Sequence, residues 1–241
     1  MGRKSAKIAN KKGAADKAKS LVFTKALHDV TIAAKSGGTD PDTNFLLKIA
    51  MDRCRKFNVP RDNIERAIKK AEGGNGDDYK DINYEGYGPG GVALFVEAST
   101  NNVTRTGANV KNYFNRNGGS LGVAGSLEFV FDHKAVFIVS KEGLDEDELT
   151  MELIDAGVEE VETNPDDENF FRVMGAKESF GQIQNKLQAM NIVPEEAGLQ
   201  RIPNNYKAVD DETFEALEKL IDIFNNDEDV ITVYDNIEDE D

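Results

Sequence analysis

Tryptophan is missing from this 241-residue sequence, cysteine occurs once and histidine twice, and each scarcity removes a class of function. A single thiol, Cys54, cannot close an internal disulfide, which fits a reducing compartment, the cytoplasm. It falls among Ile49, Ala50 and Phe57 at helical spacing and so reads as a core residue, because a reactive thiolate needs exposed, electropositive surroundings. His28 and His133 lie far apart, with no Cys/His/Asp cluster at ligand spacing, so no metal site is expected. Neither histidine has a candidate Ser or Cys partner, and no G-x-S-x-G occurs. The acidic runs DEDEL and DNIEDED read as a helix N-terminus and a solvated tail. The sequence therefore predicts no enzyme, no catalytic residue, no cofactor and no small-molecule substrate. Apolar runs are short as well. None approaches the roughly 20 residues of a membrane span. The start, MGRKSAKIANKK, lacks the apolar core of a secretory signal, Ala6 breaks the myristoylation pattern, and the stretch reads as mature sequence.

What the sequence has in excess is acid. Lys and Arg number 29 against 45 Asp and Glu, a net charge of −16, which taken alone argues against a nucleic-acid partner. The distribution of charge points the other way. Residues 1–72 hold 17 Lys and Arg against 8 Asp and Glu, a net of +9, and the rest of the chain holds 12 against 37, a net of −25. Such asymmetry describes a basic docking module on an acidic body.

Periodicity divides the chain further. Over residues 13–35, Phe23, Leu27, Val30 and Ala34 mark an amphipathic helix that Gly37 and Gly38 close. A second helix is predicted from Asp40-Pro41, an N-cap followed by proline, through Leu46, Ile49, Ala50 and Phe57. A third opens at Pro60 with Ile64, Ala67, Ile68 and Ala71 inward and i,i+4 pairs Asp62–Arg66 and Glu65–Lys69 outward. GGNGDDYK, residues 73–80, reads as a polar linker. Beyond it, VALFVEAST alternates as a strand. TNNVTRTGANVKNYFNRNGG follows as a helix with Val103, Gly107, Val110 and Phe114 on one face, and SLEFVFD alternates as a second strand. From Ala135 the pattern runs strand, helix (145–156), strand (158–161), strand (170–174), helix (Phe180, Ile183, Leu187, Met190) and strand (197–202), the β-α-β-β-α-β order of a ferredoxin-like domain. Phe214, Leu217, Ile221 and Phe224 then mark a helix, and Val230–Tyr234 a last strand. The expected class is α+β: a basic three-helix bundle at 1–75 followed by two ferredoxin-like α/β domains, one from 79–133 plus 204–241 and the other, 134–203, inserted into it.

The stretch YEGYGPGG carries Gly86, Gly88 and Gly91 at the G-x-G-x-x-G spacing of a dinucleotide-binding turn. That turn needs a helix to start from the glycines and offer its N–H groups to the pyrophosphate, whereas here a strand follows, and Pro89 removes one donor. A tight turn launching a strand is the expectation.

The segments NVPRDNIERAIKKAEG, YEGYGPGGVALFVEA, NRNGGSLGVAGSLEFVF and RIPNN together resemble the YebC/PmpR family of transcriptional regulators, whose mitochondrial relatives are translational activators. The resemblance covers nearly the whole chain. It implies three domains: an N-terminal helical bundle, and two α/β domains, one inserted into the other. Members typically begin Gly-His-Ser-Lys-Trp, whereas this chain has Arg3-Lys4-Ser5-Ala6 there and no tryptophan, so any partner contact by that aromatic is not carried over. Members are described both as DNA-binding regulators and as factors acting on translating ribosomes, so the resemblance leaves the target open.

The candidate nucleic-acid-binding residues fall in three groups. The start carries Arg3, Lys4, Lys7, Lys11, Lys12, Lys17, Lys19 and Lys25 against Asp16 alone, a composition that suits either a phosphate-contacting arm or a solubilising tail. The third helix sets Arg66, Lys69 and Lys70 on its polar side with Arg61 in its first turn, either a solvated face or a continuation of the basic surface. In the next helix Arg105, Asn109, Asn112 and Arg116 form a stripe of guanidinium and amide groups suited to base edges, sugars and phosphates, and equally to an ordinary polar face. The reading is a non-enzymatic, cytoplasmic regulator of gene expression that binds nucleic acid. Ribosomal RNA is preferred as target, because a body of −25 is repelled by long bare duplex. A DNA-binding transcriptional regulator is the alternative, and a protein-interaction scaffold a third, weaker one. Oligomeric state is not legible.

Overall fold

The computed structural model describes residues 22–35, 37–71, 80–165 and 167–238, apart from the Lys70 side chain. The chain divides into two compact units, one running to Leu127 and resuming at Lys207, the other spanning Glu128–Tyr206.

The first unit begins with three helices: α1 (22–35), α2 (Phe45–Lys56) and α3 (Arg61–Ala71). Their shared core is built from small side chains on α1 (Ala26, Val30, Ala33, Ala34) against Leu47, Ala50 and Cys54 of α2, with Val59 and Ile64 beyond, while Phe23 and Leu27 are only partly covered. Small residues let the helix axes approach closely. Asp40 does not cap α2, as its position before Pro41 predicts; the helix starts four residues later, at Phe45, with Asn44 as N-cap. Asn44 wins because it is almost fully buried and satisfies three groups at once. Its Oδ1 accepts from the Leu47 N–H (3.1 Å), and its Nδ2 donates to the carbonyls of Ala33 (2.7 Å) and Gly38 (2.6 Å), stitching the end of α1 to the start of α2.

Cys54 is fully buried in this core, and burial pushes its thiol up to about 11, with Asp29 adding to the rise. A thiol whose folded pKa lies above its unfolded value contributes stability below the unfolded value, and that contribution is lost as pH rises towards 11. Ellman's reagent at pH 8 should therefore leave Cys54 unmodified in the folded chain and label it at once in denaturant. Rapid labelling without denaturant would show that the bundle core opens.

The rest of the first unit is an antiparallel sheet of order β3-β1-β2-β8, from β1 (Lys80–Tyr87), β2 (Ala93–Thr100), β3 (Ser120–Leu121) and β8 (Val230–Asp235). Helices α4 (Val103–Arg116) and α7 (Asp211–Asn225) cover one face, burying Val110, Phe114, Leu217, Leu220 and Phe224 against Val92, Leu94 and Val96. Phe224 meets Tyr113 and Phe114 edge-on at 5.7 and 5.0 Å. On both helices the buried face is rotated from the expected one: Thr106 replaces Val103 on α4, and Leu220 replaces Phe214 on α7.

Two expectations fail here. The residues Lys80–Tyr87, in part read as linker and turn, form strand β1, paired along its whole length with β2. The segment SLEFVFD is not a strand: residues 124–130 are turns, and the continuous strand β4 runs from Phe131 to Ser140. The cause is Glu85. Its buried carboxylate accepts from the N–H groups of Gly125 (2.8 Å) and Leu127 (2.6 Å), while its carbonyl takes the Gly122 N–H (2.7 Å), so these donors are unavailable to a strand ladder. Phe129, inward-facing in the alternation, is 89% exposed.

The second unit runs β4, α5 (Glu146–Leu153), β5 (Val158–Thr163), β6 (Phe170–Ala176), α6 (Phe180–Ala189) and β7 (Glu196–Pro203), the β-α-β-β-α-β order read from the sequence. Its antiparallel sheet has order β5-β6-β4-β7. Both helices pack on one face, where Phe137, Val139, Leu149, Leu153, Val173, Ile183 and Leu187 form the core. Asp145 caps α5, its carboxylate accepting from the Asp147 and Glu148 N–H groups, which accounts for the DEDEL run.

Candidate nucleic-acid interface

The arm residues Arg3, Lys4, Lys7, Lys11, Lys12, Lys17 and Lys19 lie outside the described residues. Lys25 does not belong with them. It sits on α1, its ammonium 3.3 Å from Asn225 Oδ1, and burial holds its pKa below the ordinary lysine value.

On α3 the exposed side carries Arg61, Asp62, Glu65, Arg66 and Lys69. The i,i+4 pairs differ from those expected. Glu65 stands four residues from both Arg61 and Lys69 and bonds Arg61 (Nε–Oε1 2.8 Å), while Arg66 Nε donates to the Asp62 backbone carbonyl (3.1 Å) and not to its carboxylate. An ion pair as exposed as Arg61–Glu65, with the Arg61 side chain 90% exposed, holds its partners weakly, so these cations remain available to a phosphate.

The α4 stripe divides in two. Asn112 and Arg116 are exposed and Asn109 is half-buried. Arg105 is half-exposed and tied down: its Nη2 donates to both oxygens of Asp229, at 3.0 and 2.8 Å. Asp229, mostly buried before β8, also accepts from Thr106 Oγ1 (2.7 Å), which in turn lies 2.8 Å from Thr100 Oγ1. About two turns further along, Tyr113 donates to Asp227 (2.8 Å), and burial with that acceptor pushes the phenol up to about 12. Asp227 and Asp229 therefore clamp α4 to the turn between α7 and β8. Sequence reasoning missed this clamp, whose one visible signal was the D-E-D triplet at 227–229. The expectation that Arg105 lies on an open polar stripe is corrected: its charge neutralises a buried carboxylate.

The Gly-rich stretch is a turn between antiparallel strands. Gly90 and Gly91 take φ of +66° and +71°, Pro89–Gly91 form a single 3-10 turn, and β2 starts at Ala93, so no α-helix begins from the glycines. Packing accounts for Gly86, where a Cβ would lie 2.7 Å from both the Phe114 ring and the Ser120 carbonyl. Backbone amide resonances of Gly88, Gly90 and Gly91 should stay unshifted when ATP, GTP or NAD is added. A saturable shift confined to them would establish a nucleotide site. Among the described residues, no group of three His, Cys, Asp or Glu side chains is placed to hold a metal, and no helix is long and apolar enough to cross a membrane.

Two family models match the chain. One, described as the TACO1/YebC protein N-terminal domain, covers residues 3–74; the other, the TACO1/YebC second and third domain, covers 79–237. A Parabacteroides distasonis protein named "Probable transcriptional regulatory protein" is 48% identical over 221 residues, 91% of this chain and 90% of its own. The Bacillus subtilis protein YrbC, of the same description, is 38% identical over 232 residues, 95% of each chain. Among solved structures, a conserved hypothetical protein of Aquifex aeolicus is 31% identical with a TM-score of 0.75, covering 91% of this chain and 90% of that one.

Proposed function

The chain belongs to the TACO1/YebC family, and from that premise we propose that it is a non-enzymatic, cytoplasmic regulator of gene expression that binds DNA as a transcriptional regulator. The observation that carries the nucleic-acid reading is the separation of charge, +9 over residues 1–72 against −25 over the rest. Phosphate contact by lysine and arginine supplies affinity without reading sequence, and an acidic remainder concentrates that contact in the basic module. The proposed docking surface is the arm with Arg61, Arg66, Lys69 and Lys70, extended by Asn109, Asn112 and Arg116. The proposed division keeps the helical bundle at 1–75, the α/β domain at 79–133 plus 204–241, and the inserted domain at 134–203. The names of the relatives favour DNA over the ribosomal target that charge alone prefers.

The ribosomal reading stands second on one observation: a body of −25 is repelled by extended duplex yet tolerated beside basic ribosomal proteins. Fractionation of lysate separates the two. Co-sedimentation with chromosomal DNA, lost on nuclease treatment specific for DNA, is the expected outcome; co-migration with ribosomes that survives such treatment establishes the second reading.

A further inference from the structure

Along β2, Val92, Leu94 and Val96 point into the core under α4 and α7, so strand alternation sends Ser99 to the opposite face of the sheet. The Ser99 N–H donates to the Asp229 carbonyl at 2.8 Å. Its side chain is different: the residue is only 3% exposed, yet its Oγ meets no hydrogen-bond partner among the described residues. Buried polar atoms are nearly always satisfied, so this hydroxyl calls for a partner from outside the chain.

Ser99 lines a cleft of about 230 Å³ within the first unit, walled by Thr24 and His28 of α1, by Arg105 of α4, and by Glu228 and Asp229 before β8. Two contacts seat α1 over it. His28 Nε2 lies 3.9 Å from the carboxylate of Asp81, the residue opposite Ser99 in the β1–β2 register, and Lys25 reaches Asn225. Inside the cleft the Arg105 charge is already matched by Asp229, while Asn101 Oδ1 accepts from the same Nη2 at 3.4 Å. These bonds fix the guanidinium plane, and the Arg105 side chain remains 51% exposed.

Charge and size narrow the ligand. With Arg105 matched, the exposed Glu228 adds a carboxylate that repels a phosphate and accepts hydrogen bonds from a neutral polar group. The volume falls below the roughly 300 Å³ at which sites for drug-sized molecules begin, so a single base fits and its sugar and phosphate stay outside. Fixed guanidinium planes are surfaces on which unpaired bases stack. Among the bases, guanine presents adjacent N1–H and amino donors to a carboxylate, with O6 beside them to accept from a hydroxyl.

We propose that this cleft takes one unstacked guanine of a bound nucleic-acid strand, with Glu228 accepting from its N1–H and amino group, Ser99 donating to O6, and Arg105 beneath the ring. The inference rests on the nucleic-acid reading given above and deepens it. The N-terminal cations hold the backbone without reading it, and Thr24 in the cleft wall stands five positions beyond Lys19 in the chain. The cleft adds the reading of one base.

The test uses the full chain and short single strands, DNA and RNA, that carry one guanine, adenine or hypoxanthine in an otherwise uniform pyrimidine sequence, with free guanosine and a duplex alongside. The guanine strand should bind about tenfold more tightly than either alternative, the worth of one hydrogen bond to a charged group. Glu228→Gln should erase that preference while duplex binding persists. Ser99→Ala should weaken the guanine strand without lowering the urea midpoint, because it deletes a buried hydroxyl that bonds nothing within the described fold. A residue with a merely structural role would show the reverse. Equal affinity for the three strands, a preference that survives Glu228→Gln, or unchanged guanine binding by Ser99→Ala overturns the inference and leaves the parent reading intact. Free guanosine bound as tightly as the guanine strand makes this a nucleoside site and also overturns it. Absence of binding to every strand and to the duplex overturns the parent reading and this inference with it.

Discussion

Deleting residues 1–12 is expected to flatten the salt dependence of nucleic-acid binding more than any single substitution. The segment holds Arg3, Lys4, Lys7, Lys11 and Lys12 and no acid. If the whole chain engages about four phosphates, its log–log slope lies near −4, at roughly 0.9 per contact, and affinity falls about a hundredfold between 50 and 200 mM salt. Without the segment, Lys17, Lys19, the α3 cations and more distant contacts remain, so the slope should shrink to about half. Fluorescence anisotropy with one labelled duplex across a salt series measures both values. Equal slopes for the two chains would make the arm a solubilising tail.

The second large effect concerns Arg105. Arg105→Ala should destabilise the first unit by about 2 kcal/mol, because it strands the mostly buried Asp229 carboxylate with only Thr106 beside it. The figure sits below the range for a wholly buried pair because the Arg105 side chain is 51% exposed and water partly screens the interaction. Asp229→Ala should cost more, since it removes the acceptor of Arg105 together with the shortest of the contacts made by the Thr106 hydroxyl, whose side chain is fully buried. Arg116→Ala, at an exposed position of the same stripe, should stay within about 0.5 kcal/mol of the parent. Urea denaturation of the three variants checks the order. Equal stability of Arg105→Ala and the parent would show that the clamp is no structural element. Functional tests of the stripe therefore belong at Asn112 and Arg116, where lost binding is not confounded by lost stability.

The contrast between Arg105 and Arg116 shows what the sequence could and could not reveal. Helices and strands with a regular apolar period were legible: α3, α4, α6, α7 and the strands of the second unit lie where periodicity puts them, within a few residues. The failures share one physical cause, a polar side chain that satisfies distant backbone or a distant charge. Asn44 moved the start of α2, because an amide can cap one helix and close another in a way no local pattern records. Glu85 turned the SLEFV segment into turns from about 40 positions away, as the hydrogen bonds to Gly125 and Leu127 show. Arg105 read as a surface cation because its partner, Asp229, follows 124 residues later. Period reports which face is buried, not which carboxylate waits there.

The three candidate groups differed in the same way. For α3 the basic side was visible from composition, and the structure altered only which acid each arginine meets.

Ultraviolet crosslinking in living cells, followed by mass spectrometry of peptides that retain a nucleotide, tests most directly the claim that the chain docks on nucleic acid through its N-terminal module. The account predicts nucleotide-bearing peptides concentrated within residues 1–71. Recovery of the chain with no crosslinked nucleotide in that region, in complexes made only of proteins, would contradict it.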